Sequence, residues 1–108
     1  MAGDPNSTEV LALEGEIDLH RSPQLKQEIS AIIDRRPACI LVDLSRVSYM
    51  DSSGLAVLVE ALQRLSGNGG KLGLFGLGQS VRHIFEIARL DQVFQIFPNE
   101  SAARAALA

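Results

Sequence analysis

The chain has 108 residues, of which 46% are hydrophobic and 21% charged, with a formal net charge of −3. These values are typical of a single globular domain and exclude an intrinsically disordered chain. No apolar run approaches the ~20 residues that a membrane-spanning helix needs, and no basic tract favours nucleic acid as a partner. The single cysteine, Cys39, excludes an internal disulfide and a zinc site built from several thiolates. The N-terminus has no basic flank before an apolar stretch, so we predict no signal peptide and a cytoplasmic location.

Short apolar runs alternate with segments of helical periodicity along the chain. The first run, at residues 9–13, is typical of a strand and ends where Gly15 permits a turn. Ser22 is a candidate helix cap, and Pro23 is of the type preferred at the first helical position. Apolar residues at helical spacing follow, so a first helix is predicted that Pro37 ends.

The second half of the chain repeats this alternation. The continuous apolar run at residues 39–42 is typical of a strand buried on both faces. A second helix is predicted from about residue 55 to residue 65, and strands at residues 71–75 and 93–97 flank a third helix. Asn99 is a candidate cap for a final, alanine-rich helix.

Strands that alternate with helices in this way indicate crossover units and a largely parallel sheet. The predicted fold class is therefore α/β, a single domain with a mostly parallel or mixed four-stranded sheet flanked by about four helices. Residues 9–108 are assigned to this domain, which leaves residues 1–8 as a short N-terminal segment, ordered or disordered.

Enzyme sites have little support in the residue pattern. Gly76 and Gly78 lie between a strand and a helix, as in a dinucleotide-binding loop, but Val81 occupies the position of that loop's third glycine. The only histidines, His20 and His83, belong to no metal-ligand motif. We therefore expect no enzymatic activity, no cofactor, no metal ion and no catalytic residue.

The motif Asp51-Ser52-Ser53-Gly54 stands at the predicted start of the second helix. Asp and Ser are preferred helix caps, because their side-chain oxygens accept hydrogen bonds from the unpaired N–H groups of the first turn. Capping alone therefore explains these four residues unless the rest of the helix adds a reason for another role.

Helical periodicity divides this second helix into two faces. The predicted core face is apolar and consists of Leu55, Leu58, Val59, Leu62 and Leu65. The opposite face is predicted to be exposed to solvent and carries Ser53, Val57, Glu60, Ala61 and Arg64. An exposed serine beside partly apolar residues is typical of a docking surface, although isolated apolar residues on a surface are common.

Two segments, LEGEID at residues 13–18 and VSYMDSSGL at residues 47–55, closely resemble the bacterial STAS-domain anti-sigma factor antagonists. The similarity runs from about residue 9 to residue 107 and includes the order of the elements. Members of this family usually begin with a strand before the one that ends in GEID, whereas only residues 1–8 precede it here. That first strand is missing, very short or supplied by another chain, so the resemblance leaves a homodimer open.

The resemblance implies a function and a set of site residues. In such proteins the second serine of the motif is phosphorylated by a partner that is both a serine kinase and an anti-sigma factor. Carried onto this chain, the phosphoacceptor is Ser53, its loop is completed by Asp51, Ser52 and Gly54, and Asp18 is an acidic position in contact with the partner.

The same resemblance implies a switch between partners. The unphosphorylated form binds the anti-sigma factor and frees the sigma factor, phosphorylation weakens that binding, and a PP2C-type phosphatase reverses the change. The alternative is a STAS scaffold subunit of a stressosome or a transport complex, which does not need phosphorylation to work.

Overall fold

Strands and helices alternate in the structure, a computed structural model that describes residues 7–108. In chain order the elements are β1 (Thr8–Ile17), α1 (Ser22–Asp34), β2 (Cys39–Met50), α2 (Ser52–Gly67), β3 (Lys71–Phe75), α3 (Gln79–Ile87), a 3₁₀ turn (Leu90–Gln92), β4 (Gln95–Phe97) and α4 (Glu100–Leu107). Within residues 7–108 the four strands form one parallel sheet in the order β1-β2-β3-β4. The predicted α/β fold, with a four-stranded sheet and four helices, is confirmed.

Strand β2 separates two apolar cores. Ile40 and Val42 point into the larger core, to which α1, α2 and α3 contribute, whereas Cys39 and Leu41 point into a smaller core with α4. This alternation confirms that residues 39–42 form a strand buried on both faces. Burial also raises the pKa of the Cys39 thiol, as is typical of a structural rather than a reactive cysteine.

The predicted turn at Gly15 is wrong, because β1 continues to Ile17. Gly15 has a φ of 77°, and the register between β1 and β2 shifts between Ala12 and Glu14 and again between Gly15 and Glu16. At both shifts the extra residue lies on β2, and the positive φ of Gly15 lets β1 follow the bulged strand without ending.

Strand β2 is likewise longer than its apolar run. Beyond Asp43 it pairs only with β1, as far as the partners Ile17 and Met50. In this part of β2 only Leu44, Val47 and Met50 are buried, and two exposed residues separate each of them from the next. The register shifts interrupt the alternation of a regular strand, so the sequence pattern does not indicate a strand here. The extension carries both strands to the start of α2.

Of the two predicted helix caps, Ser22 is wrong and Asn99 is confirmed. Ser22 does not cap α1, because it is the first helical residue and its hydroxyl donates to the carbonyl of Leu19 over 3.4 Å. Asn99 caps α4 as predicted, with its side-chain oxygen 2.9 Å from the backbone nitrogen of Ala102. The last strand begins at Gln95 rather than residue 93, because the 3₁₀ turn ends just before it.

The expectations for the N-terminal segment and for the family's first strand fall mainly on residues 1–6, which lie outside the described residues. Strand β1, which contains the Gly-Glu-Ile segment, lies at one edge of the sheet.

Candidate functional site

Ser53 lies in the first turn of α2, where Asp51 holds its hydroxyl. Asp51 has an extended backbone and caps the helix, with its Oδ1 atom 2.9 Å from the nitrogen of Ser53 and 3.3 Å from that of Gly54. The Ser53 hydroxyl donates to the same carboxylate oxygen over 2.5 Å. The half-buried Ser53 is thus held by a charge-assisted bond, while its neighbour Ser52 is exposed. Because Asp51 caps it, α2 begins earlier than its apolar periodicity indicates.

These hydrogen bonds favour the ionised form of Asp51. The pKa of Asp51 lies below its ordinary value of 3.8, chiefly because the Ser53 hydroxyl donates to it, with backbone N–H groups of Gly54, Ser53 and Leu19 adding to the effect. A hydroxyl whose hydrogen is directed to a carboxylate keeps its oxygen lone pairs available for attack on an electrophile such as a phosphoryl group.

Asp51 also joins this turn to the end of β1. Its backbone nitrogen donates to the carbonyl of Ile17 over 3.2 Å. Asp18 directly follows Ile17, and its own carboxylate accepts from the nitrogens of His20 and Arg21 at 3.0 and 3.1 Å. The structure thus brings the turn at Asp18 against the Asp51–Gly54 loop. The resemblance of residues 13–18 and 47–55 to the family implies this proximity.

Leu19 is a feature of this region that the sequence reasoning missed. Its side chain is 72% exposed, although large apolar residues are usually buried. The signal was present in the sequence, since Leu19 is an isolated apolar residue in the polar turn between Asp18 and Arg21. The Asp51 nitrogen bonds to Ile17, two residues before Leu19, so this exposed apolar residue lies in the turn next to the Asp51–Gly54 loop.

Gly54 is required here by close packing. A Cβ atom at this position would lie 2.9 Å from side-chain carbons of both Ile17 and Met50, and 3.0 Å from the carbonyl oxygen of Ile17. The absence of a side chain lets the first turn of α2 rest directly on the last paired residues of β1 and β2.

The predicted solvent-facing strip on α2 is only partly correct. Ala61 is 2% exposed and belongs to the main core, so its assignment to an exposed face is wrong. Val57 is half-buried and packs against that core, whereas Glu60 is exposed and lies 3.6 Å from Lys26 of α1. The reason is that α2 packs against α1 as well as against the sheet, so its buried surface is wider than one stripe.

Arg64, the last member of the strip, links α2 to α1. Its guanidinium donates to the Ser30 hydroxyl over 2.8 Å and to Asp34 over 3.3 Å. We therefore expect Arg64→Ala to lower the free energy of unfolding by about 1 kcal/mol, the usual net value of such hydrogen bonds. Urea denaturation measures this loss, with Arg82→Ala as the control because the Arg82 side chain is exposed and makes no hydrogen bond within residues 7–108. Equal stability of the two variants would contradict a structural role for Arg64.

The capping carboxylate predicts a specific dependence of stability on pH. Because the folded pKa of Asp51 is lowered, its charge stabilises the fold above the ordinary value of 3.8, and this contribution is lost as the pH falls through the folded pKa. Asp51→Asn keeps a capping oxygen but removes the charge, so it should destabilise the protein at neutral pH and by much less in acid. Denaturation of the wild-type protein and of Asp51→Asn, at neutral pH and at a pH below 3.8, tests this prediction. Asp91→Asn, at an exposed residue, is the control. A loss of stability that is the same at both pH values would exclude the carboxylate charge as its cause.

The residues considered for enzyme chemistry do not converge on a site. His20 and His83 are both exposed, and residues 7–108 contain no cluster of three or more His, Cys, Asp or Glu side chains that could hold a metal ion. Gly76 has a φ of 77° and, with Gly78 just before α3, forms the turn from β3 into that helix. Among the described helices, none is long and apolar enough to cross a membrane.

Comparison with known proteins finds relatives that are named anti-sigma factor antagonists. It is 37% identical over 82 residues to the anti-sigma-B factor antagonist of Listeria monocytogenes, which covers 76% of this chain and 72% of that protein. The crystal structure of an anti-sigma factor antagonist from Mycobacterium paratuberculosis matches with a TM-score of 0.87 and 29% identity, over 99% of this chain and 91% of that one.

Two of the similar structures are of one protein, SpoIIAA, in two phosphorylation states. This anti-sigma factor antagonist, described as a Bacillus cell fate determinant, has been solved in unphosphorylated and phosphorylated forms, which match with TM-scores of 0.78 and 0.71. Both are 26% identical to this chain and cover 94% of it, with 89% and 92% of their own chains matched. The STAS domain family model matches residues 4–103. With a fold, a motif pair and relatives that all agree, the chain belongs to the STAS domain family.

Proposed function

We propose that this protein is an anti-sigma factor antagonist whose partner binding is controlled by phosphorylation of Ser53. In its unphosphorylated form it binds an anti-sigma factor that is also a serine kinase, and the sigma factor is released. A PP2C-type phosphatase returns the phosphorylated form to the binding state. The protein acts in the cytoplasm as a binding partner and a kinase substrate, not as an enzyme. The observation that carries this proposal is the Ser53 hydroxyl held by Asp51 at a helix N-terminus.

The position of Ser53 suits a phosphate that leaves the fold intact. A phosphoserine adds roughly 1.5 to 2 negative charges at neutral pH, and the unpaired N–H groups and positive dipole end of α2 stabilise negative charge. The Asp51 carboxylate opposes this, because its oxygen lies 2.5 Å from the atom that would carry the phosphate. Since the two effects oppose each other, the net change in stability should be small. The match of this chain to both forms of SpoIIAA supports a fold that is kept on phosphorylation.

The phosphate on Ser53 acts instead on the binding of the partner protein. The proposed binding surface consists of Ser53 and of exposed or half-buried side chains beside it in the structure or on the same helix. Its contact residues are Asp18, Leu19, Val57 and Glu60. Ala61 is left out because it is buried, and Arg64 because it bonds to α1. A partner face that fits a neutral hydroxyl between carboxylates is repelled by a phosphate there.

Phosphorylation of the purified protein is the direct test. The chain is incubated with ATP and a lysate of the native host, and intact mass and peptide mapping locate any added phosphate. One phosphate on Ser53, absent from Ser53→Ala and retained in Ser52→Ala, supports the proposal. No phosphate while other serine kinases in the lysate are active, or a phosphate on Ser52 alone, would overturn it and favour the scaffold alternative.

A further inference from the structure

The outer edge of β1 carries backbone groups with no partner strand within residues 7–108. The carbonyl of Ser7 accepts from the nitrogens of Ala38 and Cys39 at 3.1 and 3.2 Å, which fixes the direction of the ladder. In a strand, the N–H and C=O of one residue point to the same side and those of the next residue to the other. Residues 9 and 11 therefore bond to β2, whereas Thr8, Val10 and Ala12 direct their N–H and C=O groups outward.

This part of the edge lacks most of the devices that normally prevent strand pairing. Natural edge strands are protected by bulges, prolines, lysines or a covering element. The second half of β1 has such protection, since two register shifts and the charges of Glu14 and Glu16 lie there. Residues 8–12 contain no lysine, proline or register shift, and the apolar side chain of Val10 is 38% exposed.

We propose that a second copy of this chain pairs with this edge, with the two β1 strands antiparallel about a two-fold axis at Val10. In this register Val10 lies opposite the partner's Val10, and Thr8 lies opposite the partner's Ala12. Residues whose N–H and C=O groups point outward then lie opposite one another. Each of the three pairs, one between the two Val10 residues and two between Thr8 and Ala12, exchanges two hydrogen bonds. The two sheets become one continuous sheet, and each exposed Val10 side chain packs against its copy.

Other symmetric registers of the same strand are worse. An axis at Glu9 places two glutamates opposite each other, which is repulsive. An axis at Leu11 keeps only two of the three pairs and moves Thr8 opposite the partner's Glu14, beyond the first register shift. The axis at Val10 instead sets Glu9, which bonds to Arg35 over 3.1 Å, opposite the partner's Leu11. The strand is therefore self-complementary in this register.

Mass measurement in solution tests the pairing. Sedimentation over a wide range of chain concentration should show a reversible dimer of the wild-type chain. Val10→Lys places two like charges opposite each other and should raise the dissociation constant by about tenfold or more. Gln95→Lys makes the same charge addition at an exposed residue of β4, the opposite edge, and should leave the dimer unchanged.

A disulfide tests the register. Opposed residues of a hydrogen-bonded antiparallel pair have Cα atoms ~5.5 Å apart, a distance that a disulfide spans. Val10→Cys should therefore form a cross-linked dimer on mild oxidation. Ala12→Cys is the matched control, because residue 12 lies about 14 Å from its own copy and should not cross-link. The wild-type Cys39 is 1% exposed and should stay free.

Three results would overturn this proposal: a monomer at every concentration, a dimer unaffected by Val10→Lys, or cross-linking of Ala12→Cys in place of Val10→Cys. A monomer in which the Val10 and Ala12 amides resist hydrogen exchange would show that a segment of the same chain covers the edge. None of these measurements involves Ser53, so the proposed dimer can fail without affecting the proposed function.

Discussion

Gly54→Val is expected to destabilise the fold by about 3 kcal/mol, the upper part of the usual range for forcing extra atoms into a packed site. A Cβ atom alone would already lie 2.9 Å from carbons of Ile17 and Met50 and 3.0 Å from the Ile17 carbonyl oxygen. The carbonyl belongs to the β1–β2 ladder and accepts from the Asp51 nitrogen, so it cannot move without loosening the loop that holds Ser53. Urea denaturation at neutral pH measures the loss, and a shift of the midpoint without a change of slope identifies it as stability.

A second glycine in the same helix provides the control. Gly67, the last residue of α2, has open space where a Cβ would be placed. Gly67→Ala should raise the free energy of unfolding by about 0.5 kcal/mol, since alanine loses less backbone entropy than glycine on folding. Gly54→Ala should lower it by about 2 kcal/mol because of the clash. If both alanine variants were equally stable, Gly54 would not be required by packing, and its place in the motif would need a functional reason.

The sequence predicts the position of the Asp51–Gly54 loop but not the reason for its glycine. Helical periodicity and the preference of Asp and Ser for helix starts located the Asp51–Gly54 loop at the start of α2, and the structure has it there. The reason for Gly54 was not accessible, because the atoms that exclude a side chain belong to Ile17, distant in sequence and next to it in space. From the sequence, only the resemblance to known proteins indicates that residues 13–18 and 47–55 lie close together.

The errors have a common physical origin in neighbours that a local pattern does not include. The pattern predicts an exposed Ala61 because a single apolar stripe assumes a helix with one packing partner, whereas α2 lies against α1 and the sheet together. Gly15 predicts a turn because glycine adopts the positive φ that both turns and irregular strands need, and only the pairing with β2 distinguishes the two. By contrast, residues 39–42 were correctly predicted, since a strand buried on both faces is apolar throughout.

Ser53→Asp is expected to weaken binding of the anti-sigma factor by roughly thirty-fold to several-thousand-fold, the range that corresponds to the loss of a buried polar contact at an interface. The substitution places a second carboxylate beside Asp51 and removes the hydroxyl that donates to it over 2.5 Å. Titration calorimetry with the anti-sigma factor identified as the kinase measures the affinity, and Ser53→Ala should retain most of it. Because an acidic residue in the first turn of a helix is compatible with the helix dipole, thermal denaturation should show that the Asp variant is folded.

The exposed neighbour Ser52 separates a local charge effect from a general one. Ser52→Asp adds the same charge to the same turn, but the Ser52 hydroxyl makes no hydrogen bond to Asp51 within the described residues. If the partner reads the hydroxyl at Ser53, Ser52→Asp should weaken binding far less than Ser53→Asp. Similar losses for the two variants would mean that the partner senses only the net charge of the helix N-terminus. Equal affinities of Ser53→Asp and Ser53→Ala would exclude a charge switch at Ser53, because the site would then not distinguish a negative group from a methyl group.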